Sequence, residues 1–176
     1  MSGPKPQWTS KPQWTLPAPQ DTRRLGCELA ALLRAGDLVV LVGRLGAGKT
    51  VLVKGVGDGL GVAGEITSPT FVIARVHRPD PARGGQLPLV HVDAYRLGGI
   101  AEVDDLDLDA ALEDSVTVVE WGGGLVEHLT DAWLEVRIDR PVDTNDTRTA
   151  ELIGHGGDWT RRLTALAVTG AATRSG

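Results

Sequence analysis

The sequence predicts an α/β fold, a three-layer sandwich around a mixed sheet with antiparallel additions. Three observations predict it. The apolar run Leu38 to Val42 reads as a strand buried on both faces. A Gly-rich turn and an apolar-striped helical segment follow it directly. Strand–helix alternation in the first half then gives way to a strand-rich second half.

The elements follow in order. Lys5-Pro6-Gln7-Trp8-Thr9 recurs as Lys11-Pro12-Gln13-Trp14-Thr15, and its prolines disfavour helix. Residues 1–15 therefore read as an extended or disordered tail, 16–170 as one domain and 171–176 as a flexible end. Asp21 or Thr22 caps a helix running to about Ala35, with Leu25, Leu29, Leu32 and Leu33 on one face. Gly36-Asp37 stops it before the strand Leu38–Val42. The next helix spans Lys49 to Leu60, with Leu52, Val53, Val56 and Leu60 aligned. Its Gly55, Gly57 and Gly59 imply close packing or fraying. Further strands are expected at Phe71–Val76, Leu89–Asp93, Val116–Glu120, Trp133–Ile138 and Thr149–Ile153. Short helices are expected at Asp104–Glu113 and Arg161–Ala167, and a loop at Arg78 to Pro88.

Composition bounds the function. The chain has 176 residues, 41% hydrophobic and 23% charged, enough for a core without staples. A net charge of −5 disfavours a non-specific nucleic-acid binder. A single cysteine, Cys27, excludes an internal disulfide and reads as a small buried hydrophobe. No apolar run is long enough to span a membrane and no leader is evident, so the expectation is a cytoplasmic protein. Tryptophan is overrepresented, with five against one Phe and one Tyr. Trp8 and Trp14 fall in the tail, and Trp133 and Trp159 read as packing residues.

The turn after Val42 carries chemistry. Gly43-Arg44-Leu45-Gly46-Ala47-Gly48-Lys49-Thr50 matches G-x-x-x-x-G-K-[ST] between a buried strand and a helix. The fold is then P-loop NTPase-like. Glycines let backbone N–H groups converge on phosphate, and the helix N-terminus adds free donors. Lys49 reaches the β- and γ-phosphates, and the Thr50 hydroxyl ligates Mg²⁺. Two of the four lysines lie in the tail, while the remainder of the chain otherwise favours arginine. A carboxylate at a neighbouring strand end must complete the metal site. Val116–Glu120 and Leu89–Asp93 both end in acids, and parallel strands gather their C-terminal ends at such a site. Glu120 is placed on Mg²⁺ and Asp93 on the attacking water or the metal's outer shell, with the reverse assignment open. The guanine-reading N-K-x-D pattern is absent, since the chain's single asparagine, Asn145, precedes Asp146 and Thr147. ATP is the better guess.

With these residues in place, the sequence closely resembles the bacterial TsaE (YjeE) family from about Leu16 to Arg148. Leu16-Pro17 with Thr22, Leu25-Gly26 and Leu29-Ala30 looks like the family's opening helix. Leu45 to Thr50 is similar to its phosphate loop. Thr67-Ser68-Pro69-Thr70-Phe71 resembles its S-P-T-[FY] switch, His91 to Leu97 its H-x-D-x-Y-R-L motif, and Val119-Glu120-Trp121 its E-W motif. The P-loop alone is widespread, but the ordered set of four is specific. The resemblance implies a slow ATPase required for threonylcarbamoyladenosine formation at tRNA position 37. It implies action on TsaB and TsaD, with tRNA reached through that complex. It also implies nucleotide contacts from Gly43, Leu45, Gly46, Ala47, Gly48, Lys49, Thr50, Val51, Thr22 and Trp121. Metal contacts would come from Thr50 and Glu120, and catalytic roles from Lys49, Asp93 and Glu120. Thr70 would sense the γ-phosphate, while Tyr95 and Arg96 would support the site or a partner surface.

The chain departs from the family pattern at Arg44, usually an acid, at Val51, and at Gly122-Gly123-Gly124, where proline usually follows the tryptophan. Two other classes remain in play. A small-molecule kinase would need an arginine-bearing lid, for which Arg75, Arg78 and Arg83 are available. A nucleotide-binding scaffold would bind without turnover, a reading that Arg44 keeps alive. Seven acids between Glu102 and Asp114 form a solvated face or a docking site for a basic partner. His91 reads as a packing or hydrogen-bonding histidine, and Arg161-Arg162 as solvent-facing.

Overall fold

The computed structural model describes residues 13–69, 73–142 and 146–173. Its elements are β1 (Gln13–Leu16), α1 (Pro19–Ala30), β2 (Leu38–Val42), α2 (Lys49–Leu60), β3 (Ala74–His77) and β4 (Leu89–Asp93). Then come α3 (Ile100–Asp104), α4 (Leu108–Leu112), β5 (Val116–Glu120), β6 (Trp133–Asp139), β7 (Arg148–His155) and α5 (Trp159–Thr173). The strands form one sheet in the order β1-β7-β6-β2-β5-β4-β3. The middle four, β6-β2-β5-β4, are parallel, and the pairings of β1 with β7, β7 with β6 and β3 with β4 are antiparallel. This is the expected three-layer α/β sandwich with a mixed sheet.

β2 shows why its sequence is continuously apolar. Val39 and Leu41 enter one cluster with Leu25, Leu29, Leu52, Val53 and Val56 of α1 and α2 and Leu163 of α5. Leu38 and Val40 enter the other, with Val103, Leu108 and Leu112 of α3 and α4. Strand alternation sends consecutive residues to opposite faces, and helices cover both.

The helix pair α1–α2 settles the glycines of α2. A Cβ at Gly26 would lie 2.3 Å from the Leu52 carbonyl oxygen, and one at Gly55 would lie 2.0 Å from that of Arg23. The glycines therefore let two backbones touch; close packing, not fraying, is their role.

Several expected boundaries move. The supposed tail contributes β1, whose Trp14 and Leu16 are buried, because pairing with β7 lays alternate side chains on the core. α5 likewise runs past residue 170, to Thr173. α1 opens at Pro19, and Asp21 caps it from within by accepting the Ala18 N–H at 2.9 Å. It closes at Ala30, and Leu32 and Leu33 continue in a tighter turn bonded to Leu29 and Ala30. Asp107, at φ +50°, splits the expected Asp104–Glu113 helix. Val103 and Leu108 are five apart, off helical period, so the break lets both face the core. The start of the expected Phe71–Val76 strand lies outside the described residues. Cys27 is exposed. Arg162 is buried against Trp159 and bonds Asp37, so only Arg161 faces solvent. No helix among the described residues is long and apolar enough to cross a membrane.

Candidate functional site

The loop Gly43–Gly48 leaves the C-terminal end of β2 and enters α2. Gly46 and Gly48 sit at φ +76° and +107°, a region costly for other residues. The Lys49 ammonium donates to the Gly43 carbonyl at 2.7 Å and the Arg44 carbonyl at 2.9 Å. It also lies 4.0 Å from the centroid of the Trp121 indole. Burial holds its pKa below the ordinary lysine value, opposed by the negative charges of Glu120 and Asp93.

Parallel pairing then delivers the acids. Glu120 on β5 is level with Leu41 of β2 on one side and Asp93 of β4 on the other. The Thr50 hydroxyl donates to Glu120, 3.0 Å from Oε1 and 3.3 Å from Oε2. His91 Nε2 lies 2.7 Å from the same Oε1. Asp93 Oδ1 accepts the Tyr95 N–H at 3.0 Å, and the Tyr95 ring leans on Trp121 with centroids 5.0 Å apart. Trp121 itself has φ +61°, turning the chain sharply after the acid.

Together these elements wall a cleft of about 570 Å³. Leu45, Gly46, Gly48, Lys49, Thr50, Val51, Asp93, Tyr95, Arg96, Glu120 and Trp121 all line it, as do Ser68 and Pro69. Gly43 and Ala47 are not among the cleft-lining residues; Ala47 is buried, and the position of a Gly43 Cβ is 3.2 Å from its methyl. Thr22 is fully buried, its methyl 3.7 Å from where a Gly48 Cβ would be, so in this conformation it backs the loop instead of lining the cleft. Thr70 lies outside the described residues, as does Asn145.

Sequence reasoning missed Arg148. Its Nε donates to the Ala47 carbonyl at 2.8 Å and its Nη1 to that of Asp146 at 2.8 Å, fastening β7 to the phosphate loop and lining the cleft. No local signal marks it, because its partner is 101 residues away. The side chain of Arg44, in contrast, is exposed while its carbonyl serves Lys49.

The donors offered to a cation are oxygens, from Thr50 and Glu120 with Asp93 alongside. Hard oxygen donors of this kind would suit a small divalent cation such as Mg²⁺. No cluster of three or more His, Cys, Asp or Glu able to hold a metal ion occurs among the described residues.

The family model described as "Threonylcarbamoyl adenosine biosynthesis protein TsaE" matches residues 16–150. The chain belongs to the TsaE family. Its relatives include the tRNA threonylcarbamoyladenosine biosynthesis protein TsaE of Streptomyces coelicolor, 62% identical over 140 residues, covering 78% of this chain and 93% of that protein. The TsaE of Bacillus subtilis is 35% identical over 144 residues, covering 81% and 87%. The crystal structure of Bacillus subtilis YdiB superposes with a TM-score of 0.72 at 28% identity, covering 91% of this chain and 96% of that one. The TsaE match begins at Leu16, so most of β1 precedes it although Trp14 is part of the core.

Proposed function

We propose that this TsaE-family chain is a Mg²⁺-dependent ATPase that serves tRNA N6-threonylcarbamoyladenosine formation by acting on the TsaB–TsaD complex in the cytoplasm. The observation that carries the reading is the meeting of the Thr50 hydroxyl and the buried Glu120 carboxylate at 3.0 Å, beside Lys49 at the mouth of α2. The relatives' names supply the pathway.

Each group has a task. The backbone N–H groups of Gly46, Gly48, Lys49, Thr50 and Val51 and the start of α2 cradle phosphate oxygens. Lys49 leaves the Gly43 and Arg44 carbonyls to neutralise the β- and γ-phosphates. Thr50 and Glu120 would hold Mg²⁺, which would supply charge stabilisation to the β- and γ-phosphate oxygens. Asp93 orients the attacking water. Of the three arginines available for a kinase lid, Arg83 bonds the Val62 carbonyl and Asp58, and Arg75 reaches Thr67 at 3.4 Å. Arg75, Arg78 and Arg83 are not among the residues that line the cleft.

Two experiments test this. Lys49→Ala or Glu120→Ala is expected to abolish ATP hydrolysis by the purified protein with TsaB and TsaD. Depletion of the protein is expected to lower threonylcarbamoyladenosine in tRNA nucleosides measured by mass spectrometry. Undiminished modification sinks the pathway assignment; phosphorylated small molecules among the products would point to a kinase.

A further inference from the structure

We propose that His91 is a positioning residue for Glu120, holding the carboxylate in the orientation in which it meets the metal. The proposal rests on the Mg²⁺ role of Glu120 argued above. β4 and β5 are parallel and in register, so His91 stands beside Val118 and Asp93 beside Glu120. The His91 side chain is fully buried and that of Glu120 is 4% exposed. A carboxylate so far from water needs donors to remain in place. Glu120 Oε1 takes two, His91 Nε2 at 2.7 Å and the Thr50 hydroxyl at 3.0 Å. Oε2 keeps only the longer 3.3 Å contact to Thr50, which makes it the freer oxygen.

The surroundings of the ring decide which nitrogen carries the facing proton. Nδ1 is buried with no hydrogen-bond partner among the described residues. A proton on Nδ1 alone would strand an N–H there and turn a lone pair toward the carboxylate. A proton on Nε2 satisfies Glu120. The hold also works against a competitor. The Lys49 ammonium is attracted by the negative charge of Glu120. A carboxylate released from His91 can turn toward that ammonium and occupy the group needed for phosphate. His91 and Thr50 together keep Glu120 off the lysine. Hydrogen bonds of this kind behind a metal ligand typically change metal affinity by about 10- to 100-fold.

The test measures Mn²⁺ binding by electron paramagnetic resonance in the presence of a non-hydrolysable ATP analogue, with analogue affinity also measured without metal. Wild type is compared with Glu120→Gln, His91→Phe and His91→Gln. His91→Phe is expected to weaken Mn²⁺ binding about tenfold or more, while metal-free analogue affinity is expected to be unchanged. His91→Gln is expected to recover most of the loss, because its amide N–H₂ reaches the place of Nε2. Nitrogen NMR of the metal-free wild type is expected to show Nε2 protonated. Wild-type Mn²⁺ affinity in His91→Phe, alongside weakened Glu120→Gln, overturns the proposal and spares the metal role of Glu120. Equal loss in both His91 variants, or a proton on Nδ1 alone, also overturns it. Unchanged binding in Glu120→Gln overturns the metal role itself.

Discussion

Lys49 shows how one residue ties the nucleotide-free site together. Its ammonium rests on two carbonyls and one indole face, contacts that nucleotide phosphate would replace under the proposed function. Binding therefore changes what Trp121 touches. ATP with Mg²⁺ is expected to shift the tryptophan emission of the protein, and Trp121→Phe is expected to remove that shift although the other four tryptophans remain. An unchanged emission in wild type at saturating nucleotide would count against the contact being broken. The same lysine sets an alkaline pH effect. Because burial lowers its pKa from the ordinary 10.5, the folded chain releases this proton at lower pH than the unfolded chain. Between the two values the unfolded state binds more protons, so this group's contribution to stability rises with pH. Urea titrations across that window are expected to show the rise in wild type and a shallower one in Lys49→Met.

At the scale of elements, the α1–α2 contact is the tightest helix joint. Gly26 and Gly55 meet the opposing backbone with no room for a methyl group. Gly26→Ala is expected to destabilise the fold by about 1–3 kcal/mol through overpacking, read from the urea midpoint. Asp58 ties the same joint together through Arg23. It takes Arg23 at 2.6 Å and Arg83 at 3.4 Å, and the Arg23 bond chiefly holds its pKa below the ordinary 3.8. Its stabilising contribution is full above that value and is lost as pH falls through the lowered one. The pairs are partly exposed, so Asp58→Asn is expected to cost no more than about 1 kcal/mol at neutral pH. The difference from wild type should shrink in acid-unfolding curves as pH falls through that lowered value. If the difference instead grows in acid, the pairing is not what Asp58 contributes.

Over the whole molecule, the N-terminal strand is structural. Trp14 is 7% exposed inside the larger core cluster, and Leu16 pairs with Arg148, the residue that grips the phosphate loop. Trp14→Ala is expected to cost about 3–5 kcal/mol, measured by chemical denaturation. A loss under 1 kcal/mol would mean that β1 is dispensable. Read locally, this strand is misleading, because the prolines that flank it and the repeat it belongs to suggest a tail. Burial of Trp14 depends on β7, more than 130 residues later.

The amino-acid sequence by itself determined the phosphate loop, the bounds of β2, α2, β4 and β5, and the two acids at strand ends. Those features are set by local chemistry: apolar runs, helical period and glycine placement act within a few residues. Only the tertiary structure decided which groups meet. Parallel register set Asp93 beside Glu120, and sheet topology brought Arg148 to Ala47 and His91 to Glu120. Such contacts arise from strand pairing and helix cover over long separations, where no local pattern records the partner.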